Sequence, residues 1–232
     1  MKIALLGYGK MGQVIERIAL ERGHEIILKK TEDNSFDGLL NADVAIDFSV
    51  PTAAVDNISE CLHNGIPIVS GTTGWLTDYD AMVTLCKSKN GAFIYGSNFS
   101  LGVNLFFKLN ENLAHLMSKF SQYNVSMEEI HHTQKLDKPS GTAITLANEL
   151  VSTFNKSGWS IENPETDALF IDVKREDAVP GTHSVYYTSA VDTIEIKHTA
   201  HNRDGFALGA VIASEWLVNK KGVYTMKDVL EL

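Results

Sequence analysis

The densest group of chemically reactive side chains lies in residues 129–142, with the sequence EIHHTQKLDKPSGT. It contains two adjacent histidines, His131 and His132, together with two lysines and a glycine turn. An imidazole is well matched to proton donation near neutral pH, so we expect His131 to act as a general acid. The cations of Lys135 and His132 are suited to pairing with a carboxylate. This composition favours proton transfer to an anionic substrate.

Ser140, Gly141 and Thr142 end this stretch and begin a predicted helix. Unpaired backbone N–H groups at a helix N-terminus can hold a carboxylate, so we expect these three residues to bind substrate. A metal site is the alternative interpretation, and its further ligands would be His183, His198 and His201. Because no HExxH or CxxC-type spacing supports that alternative, we predict no bound metal.

A glycine motif near the start of the sequence predicts a bound dinucleotide. Residues 7–12 read Gly7-Tyr8-Gly9-Lys10-Met11-Gly12, between a predicted strand at 2–6 and a predicted helix at 11–22. In that context Gly7 makes the tight turn, Gly9 lets the pyrophosphate approach the backbone, and Gly12 allows close helix–strand packing. The helix N-terminus adds unpaired N–H groups and positive potential. We therefore predict that NADH or NADPH binds here.

The residues after the second predicted strand leave the choice between these cofactors open. Glu32 and Asp33 have the spacing of the acid that binds the ribose hydroxyls. Lys29 and Lys30 stand just before them and would favour the 2′-phosphate of NADPH, unless they are solvated surface charges. Use of both cofactors is compatible with this pattern.

Two further turns follow predicted strands, at Gly71-Thr72-Thr73-Gly74 and at Gly96-Ser97-Asn98-Phe99. In open α/β sheets, ligands bind in the crevice outside the carboxyl ends of the strands. Small residues with hydroxyl and amide groups suit the nicotinamide ribose and carboxamide, so both turns are predicted to bind the cofactor.

Strands and helices alternate through the first 98 residues. Strands are predicted at 2–6, 25–29, 43–48, 66–70 and 92–95, with helices at 11–22, 51–64 and 77–89. This alternation predicts an α/β fold with a Rossmann-type, doubly wound parallel sheet.

The pattern changes after residue 98 and predicts a second, α+β domain with a mixed sheet. Strands are expected at 123–130, 167–174 and 184–198, helices at 142–154 and 206–218, and a linker at 155–166. Ile194 and Ile196 alternate with charged residues, which predicts one buried strand face. A helix capped by Ser100 is predicted to bury a face made of Leu101, Leu105, Leu109, Leu113, Leu116 and Phe120.

These elements predict a dinucleotide-binding domain from residues 1–98 with 206–232 and a substrate-binding and oligomerisation domain from residues 99–205. The net charge of −9 argues against a general nucleic-acid binder. Cys61 and Cys86 make no disulfide framework, which favours a reducing cytoplasm. There is no run of about 18 apolar residues and no secretory signal pattern, so we expect no membrane partner.

Taken together, these motifs resemble the 4-hydroxy-tetrahydrodipicolinate reductase family, also called dihydrodipicolinate reductase, of bacterial lysine and diaminopimelate biosynthesis. The most specific part is the His-His-x-x-Lys-x-Asp-x-Pro-Ser-Gly-Thr stretch that begins at His131. The resemblance spans nearly the whole chain and includes 7–12, 47–49, 71–74, 98–104, 180–183, 195–198 and 206–210.

The resemblance implies hydride transfer from NADH or NADPH to a cyclic, conjugated imine dicarboxylate, with loss of water from the hydroxylated precursor. It implies that His131 is the proton donor, that Lys135 is a second acid or electrostatic partner, and that His132, Gly141 and Thr142 bind carboxylates. It adds Lys30, Thr31, Phe48 and Ser49 to the cofactor-binding residues, and it implies a homotetramer. The chain is shorter than many members between Phe154 and Pro180, a region of substrate-domain strands and subunit contacts.

Two other functions are compatible with parts of this pattern. One is a dehydrogenase of the same architecture that acts on an amino acid such as aspartate. The other is an NADP(H)-binding redox sensor without turnover, although a sensor has no need of His131 and Lys135 beside a nicotinamide.

Overall fold

The computed structural model describes residues 1–32, 35–162 and 167–232. It divides into two compact units, a first unit of Met1–Leu101 with Arg203–Leu232 and a second unit of Gly102–Asn202. Asp33, half of the predicted acid pair, and part of the predicted 155–166 linker lie outside the described residues.

The first unit is built on a six-stranded sheet in which every neighbouring pair is parallel. Its strands are β1 (Lys2–Leu6), β2 (Glu25–Lys30), β3 (Val44–Asp47), β4 (Ile68–Ser70), β5 (Ala92–Tyr95) and β11 (Gly222–Tyr224). The spatial order is β11-β5-β4-β3-β1-β2, so the chain reverses direction across the sheet between β1 and β3. The predicted parallel sheet is confirmed.

Helices cover both faces of this sheet. They are α1 (Lys10–Glu21), α2 (Pro51–His63), α3 (Tyr79–Ser88), α6 (Asp204–Leu217) and α7 (Met226–Leu230), with short 3-10 helices at Leu39–Asn41 and Leu76–Asp78. Ile3 and Leu5 of β1 pack in one core with residues of α1 and α6, whereas Ala4 and Leu6 pack in a second core with residues of α2 and α3. Because β1 is buried on both faces, its sequence is continuously apolar.

The second unit contains a mixed, five-stranded sheet, as predicted. Its strands are β6 (Asn124–His131), β7 (Trp159–Ser160), β8 (Leu169–Arg175), β9 (Gly181–Thr188) and β10 (Thr193–Ala200), in the order β10-β9-β6-β8-β7. The central strand β6 runs parallel to β8 and antiparallel to β9. The remaining helices are α4 (Leu101–Met117), which starts at the end of the first unit, and α5 (Gly141–Thr153).

The prediction of one long strand at 184–198 is wrong, because this segment is the antiparallel hairpin of β9 and β10. The Ser189 backbone N–H donates to the carbonyl of Asp192, and the Ser189 hydroxyl oxygen accepts from the N–H of Asp192, which closes the turn. Such side-chain hydrogen bonds to the backbone are typical of serine in turns. Since β10 is an edge strand, Ile194 remains 39% exposed and only Ile196 packs against the core.

The predicted core face of α4 is also wrong. Leu105, Leu109 and Leu116 are about half exposed, as is Phe120, which lies beyond the end of the helix. The buried face consists of Val103, Phe106, Asn110, Ala114 and Met117. Both faces have helical spacing, so periodicity alone could not decide which one is buried. None of the described helices is long and apolar enough to span a bilayer.

Candidate active site

A cavity of about 330 Å³ lies in the first unit, at the carboxyl ends of β1, β2 and β3. Seven of the predicted cofactor residues line it: Gly7, Tyr8, Gly9, Lys30, Thr31, Phe48 and Ser49. The other residues that line it are Glu32, Val50, Ala53 and Asn57. The cavity therefore gathers residues from the glycine turn after β1 and from the ends of β2 and β3, the two strands that flank β1.

Close backbone approaches explain the glycines around this cavity. Gly7 has φ of +98°, and a Cβ atom built on it would lie 2.3 Å from the carbonyl oxygen of Phe48. A Cβ on Gly12 would lie 2.3 Å from the carbonyl oxygen of Gly7. A Cβ on Gly9 meets nothing within 4 Å, and no described side chain caps the N-terminus of α1 there. The turn thus leaves open space in front of the helix N-terminus, as an anion requires.

A buried carboxylate, Asp47, organises the wall of the cavity. Its side chain is fully buried and accepts hydrogen bonds from Ser49 Oγ at 2.6 Å, Asn57 Nδ2 at 2.9 Å and Ser70 Oγ at 2.8 Å. The Ser49 backbone N–H also donates to the hydroxyl oxygen of Thr72. Asp47 therefore joins the ends of β3 and β4 to α2, and it fixes Ser49 where Ser49 lines the cavity.

The two lysines that end β2 have different surroundings. The ammonium group of Lys29 forms an ion pair with Glu16 at 2.5 Å and lies 4.9 Å from the centre of the Tyr8 ring. The hydrogen bond from Lys29 lowers the pKa of Glu16. Lys30 lines the cavity, and its ammonium group lies 4.8 Å from the centre of the Phe36 ring. Only Lys30 of the two therefore faces the predicted cofactor position.

The remaining predicted cofactor residues do not line this cavity: Lys10, Met11, Gly12, Gly71, Thr72, Thr73, Gly96, Ser97, Asn98 and Phe99. The turns at 71–73 and 96–99 follow the adjacent parallel strands β4 and β5. The Phe99 side chain is 1% exposed and packs against Phe48, with ring centroids 5.8 Å apart. It therefore supports the turn from inside the core, where a ligand cannot touch the ring.

The second unit buries a group of charged and polar side chains around Glu129, which we call the Glu129 cluster. Its members are Glu129, His131, Ser140, Arg175 and His183. In the sheet, Glu129 pairs with His183 of β9, and His131 pairs with Arg175 of β8, so these side chains share one face. Strand register, which brings together residues far apart in sequence, assembles this site.

Glu129 accepts hydrogen bonds although it is fully buried. The Ser140 backbone N–H lies 3.1 Å from each carboxylate oxygen, and Arg175 Nη2 lies 3.2 Å from Oε1. His131 Nδ1 is 3.3 Å from Oε2, at ion-pair distance but without hydrogen-bond geometry. Burial alone would raise the pKa of Glu129, but its interactions with His131 and Ser140 outweigh that effect and lower the pKa to about 2.

Ser140 connects this carboxylate to the helix that follows. Its hydroxyl oxygen caps α5 by accepting from the N–H of Ala143, and it lies 3.1 Å from His183 Nε2. A Cβ on Gly141 would meet nothing within 4 Å, so space is open at the first helical residue. Burial and the neighbouring His131 lower the pKa of His183 to about 3. His183 is therefore neutral near pH 7.

Arg175 holds the loop between β6 and α5. Its Nη2 also donates to the carbonyl of Asp137 at 2.7 Å, and its Nε donates to the carbonyl of Lys135 at 3.3 Å. The Lys135 ammonium group in turn forms an ion pair with Asp137 at 2.9 Å. One guanidinium group thus links Glu129 to the backbone on either side of Leu136, in the segment that carries Lys135.

A metal ion is not favoured by this arrangement. Glu129, His131 and His183 offer ligand atoms within 4.8 Å of one another, and His198 and His201 are not part of this described group. Arg175 already pairs with the same carboxylate, and its positive charge opposes a dication.

The sequence analysis assigned no role to Glu129 or Arg175, and it considered His183 only as a metal ligand. Glu129 stands two residues before His131 on a strand, so the two-residue period of a strand placed both on one face. Nothing comparable identifies Arg175, because its place depends on the register of β8 against β6. The shared face of Glu129 and His131 was therefore the one usable signal.

Comparisons with known proteins agree along the whole chain. Residues 1–99 match the family model described as dihydrodipicolinate reductase, N-terminus, and residues 102–230 match that described as dihydrodipicolinate reductase, C-terminus. The chain is 55% identical over 233 residues to 4-hydroxy-tetrahydrodipicolinate reductase of Christiangramia forsetii, covering 99% of this chain and 98% of the relative. It is 36% identical over 254 residues to the enzyme of that name from Methanoculleus marisnigri, covering all of both chains.

A solved structure supports the same fold. The dipicolinate-bound dihydrodipicolinate reductase from Paenisporosarcina sp. TG-14 matches with a TM-score of 0.78 at 21% identity, over 97% of each chain.

Proposed function

This chain belongs to the dihydrodipicolinate reductase family, and from that premise we propose roles for its two sites in the family reaction. The chain is an NAD(P)H-dependent oxidoreductase that reduces 4-hydroxy-tetrahydrodipicolinate to tetrahydrodipicolinate with loss of water, in diaminopimelate and lysine biosynthesis. The observation that carries the assignment of roles is the Glu129 cluster, because it places His131 beside a buried carboxylate at the start of the motif loop.

Each unit has its own role in this proposal. Residues 1–98 with 206–232 bind the dinucleotide, and residues 99–205 bind the substrate and assemble the oligomer. Gly7, Gly9 and Gly12 suit a pyrophosphate, since the turn has no room for a Cβ at Gly7 or Gly12 and open space at Gly9. The turns at 71–73 and 96–99, with Phe48 and Ser49, hold the nicotinamide half.

The cofactor, when bound, supplies the hydride for the reduction. Lys30 and Glu32 both line the cavity, and they give it two ways to hold the adenosine ribose. Glu32 accepts hydrogen bonds from the free hydroxyls of NADH, whereas Lys30 pairs with the 2′-phosphate of NADPH. The protein accordingly accepts both cofactors, and Lys30 is the residue that admits NADPH.

The substrate carboxylates bind at the loop and the helix start. Gly141 and Thr142 present the N-terminus of α5 to one carboxylate, and the cations of His132 and Lys135 hold the other. Ser140, which was also predicted to bind substrate, is buried, and its N–H and hydroxyl are engaged with Glu129 and Ala143, so it shapes the helix start without touching the carboxylate. Reduction puts negative charge on the ring, and a proton from His131 Nε2 neutralises it while Lys135 stabilises the charge as it develops.

The proposal includes a cytoplasmic homotetramer assembled through the sheet of the second unit. The edge strand β10 leaves Ile194 partly exposed, and Val191 at the hairpin tip is 88% exposed, as suits a surface that another copy covers. Analytical ultracentrifugation of the wild-type protein tests this, and a monomer at micromolar concentration would contradict it.

The experiment that tests the function measures NADH and NADPH oxidation with the enzymatically generated cyclic substrate. His131→Ala lowers turnover by about 10²-fold, the usual scale for losing a general acid. Lys135→Ala lowers turnover strongly and leaves cofactor affinity unchanged. Lys174→Ala is the matched control, because Lys174 pairs with Glu128 and Asp172 away from the cluster. Wild-type rates in both loop variants would contradict the assigned roles.

A further inference from the structure

We infer that Glu129 is a positioning residue, whose carboxylate orients His131 for proton donation and, through Ser140 and Arg175, seats the loop that carries Lys135. This inference rests on the proposed function, because it gives a cause for the orientation of the groups that act there. Glu129 itself is fully buried and has no direct access to a substrate.

Glu129 and His183 fix the orientation of the His131 ring, and Gly181 leaves space beside it. Glu129 Oε2 lies 3.3 Å from Nδ1, so the carboxylate favours a proton on that nitrogen and directs Nε2 to the proton exchange with substrate. A Cβ built on Gly181 would lie 3.0 Å from Nε2, so the absence of a side chain there keeps space in front of that nitrogen. The His183 ring packs edge-on at 5.1 Å between centroids. The contacts with Glu129 and His183 leave His131 little freedom to rotate.

Glu129 also anchors the loop between β6 and α5. The Ser140 N–H donates to both oxygens of Glu129, and Arg175 joins the same carboxylate to the carbonyls of Lys135 and Asp137. The start of α5 and the backbone of Lys135 are thus held by one negative charge. Loss of that charge affects the proton donor and the loop together.

The balance of charge around His131 depends on Glu129. The groups that face His131 are the Glu129 carboxylate on its own strand, the Arg175 guanidinium on β8 and His183 on β9. The loop after β6 carries Lys135 and Asp137, whose opposite charges pair with each other. Glu129 supplies the negative charge among the groups that face the ring, while His183 is neutral near pH 7. Without the Glu129 carboxylate, the positive charge of Arg175 has no counter-charge in the cluster and disfavours a second positive charge on the His131 ring. The carboxylate therefore favours the positively charged, proton-donating form of the imidazole.

The kinetic test compares Glu129→Gln, Glu129→Asp and the control Glu128→Gln across pH. Glu128 precedes Glu129 on β6, points to the opposite sheet face and pairs with Lys174. Glu129→Gln lowers kcat by about 10²-fold, moves the alkaline fall of kcat to lower pH and leaves the KM for cofactor unchanged. Glu129→Asp keeps the charge and restores the pH position, with partial recovery of kcat. Glu128→Gln behaves as wild type.

A second measurement needs no variant. In ¹⁵N-histidine-labelled wild-type protein, long-range ¹H–¹⁵N spectra report the tautomer of neutral His131, and the inference expects the proton on Nδ1. A proton on Nε2, or a Glu129→Gln enzyme with the kcat and pH profile of wild type, would overturn it. If the proposed reaction itself is wrong, the wild-type protein does not oxidise NADH or NADPH with the cyclic substrate. The tautomer measurement does not depend on turnover, so it still decides the role of Glu129.

Discussion

Asp47 and Glu129 are both fully buried carboxylates at the end of a central strand, yet their partners differ in charge. The partners of Asp47 are the hydroxyls of Ser49 and Ser70 and the amide of Asn57, all neutral. The partners of Glu129 include the guanidinium group of Arg175 and the ring of His131. Asp47 fixes loop geometry through hydrogen bonds from neutral donors, and Glu129 lies among cationic and titratable side chains.

The surroundings of the two carboxylates show the same difference. Around Asp47 the site is defined by close packing, because a Cβ at Gly7 would lie 2.3 Å from the Phe48 carbonyl oxygen and one at Gly71 would lie 2.2 Å from the Phe48 ring. Around Glu129 the site is defined by titratable side chains. The first unit should therefore be sensitive to added volume and the second to charge and pH. Each prediction below tests one side of this contrast.

The largest expected effect is on the free energy of unfolding in Glu129→Gln. Removing one partner of a buried ion pair costs about 3–5 kcal/mol, because Arg175 then stays buried without a counter-charge. Asp47→Asn should cost about 1–3 kcal/mol, since its described partners are neutral donors and no cation among them is left without a counter-charge. Urea unfolding followed by circular dichroism measures both. A larger loss in Asp47→Asn than in Glu129→Gln would break the contrast.

The next effect concerns volume in the first unit. In Gly7→Ala the new Cβ would lie 2.3 Å from the Phe48 carbonyl oxygen at φ of +98°, so the turn must shift. Overpacking of this kind costs about 1–3 kcal/mol, and we expect cofactor affinity to fall by about 10- to 100-fold. Gly23→Ala is the matched control, because Gly23 has φ of +82° with open space around it. Fluorescence titration with NADPH should show equal affinity for Gly23→Ala and wild type, and equal loss in both variants would assign the effect to backbone strain alone.

The sequence predicted the first unit closely for a physical reason. Its inner strands β1, β3, β4 and β5 are buried on both faces, so they form short apolar runs, and β1 was predicted at its observed bounds. The elements that it missed there, β11, α7 and the two 3-10 helices, have three to five residues each, too few to show a period. Helical and strand periodicity therefore carries most of this architecture.

The second unit was harder to predict because both its helix face and its cluster depend on tertiary packing. Leu105 and Val103 lie on competing apolar faces of α4, and only the structure shows that Val103 is buried. His131 and Lys135 were found from residue type and local spacing. Arg175 could not be found in that way, because its partner Glu129 lies on another strand at a register that the sequence does not give.

The third effect is a dependence of the free energy of unfolding on pH, and it arises from His183 in the Glu129 cluster. The pKa of His183 is lowered from 6.5 to about 3 in the folded protein, mainly by burial. Below pH 6.5 the unfolded chain therefore binds a proton that the folded chain refuses, and stability falls as the pH drops from 6.5 towards 3. At pH 5 this amounts to about 2 kcal/mol, from about 1.36 kcal/mol per pH unit.

The same reasoning separates His183 from Glu129. The pKa of Glu129 is lowered from 4.5 to about 2, so its contribution is complete above pH 4.5 and is lost only below it. His183→Gln should consequently lose less stability than wild type between pH 7.5 and pH 5 in urea unfolding. Because His198 titrates in both proteins, their difference isolates His183. Identical pH dependence in the two proteins would show that His183 accepts its proton without cost.

The smallest effect concerns Lys30, the residue of the first unit whose charge should matter for cofactor binding. Lys30 lines the cavity, whereas the Lys29 ammonium is already paired with Glu16. Lys30→Ala should raise the KM for NADPH by about tenfold, which corresponds to about 1.4 kcal/mol, and should leave the KM for NADH nearly unchanged. Lys29→Ala should change either value by less than about twofold, as is usual for an exposed ion pair. Because the phosphate contact is exposed to solvent, the advantage of wild type over Lys30→Ala should also shrink as salt increases. If Lys29→Ala has the larger effect on NADPH, the phosphate must displace Glu16 from Lys29, and the first unit would then depend on charge as strongly as the second.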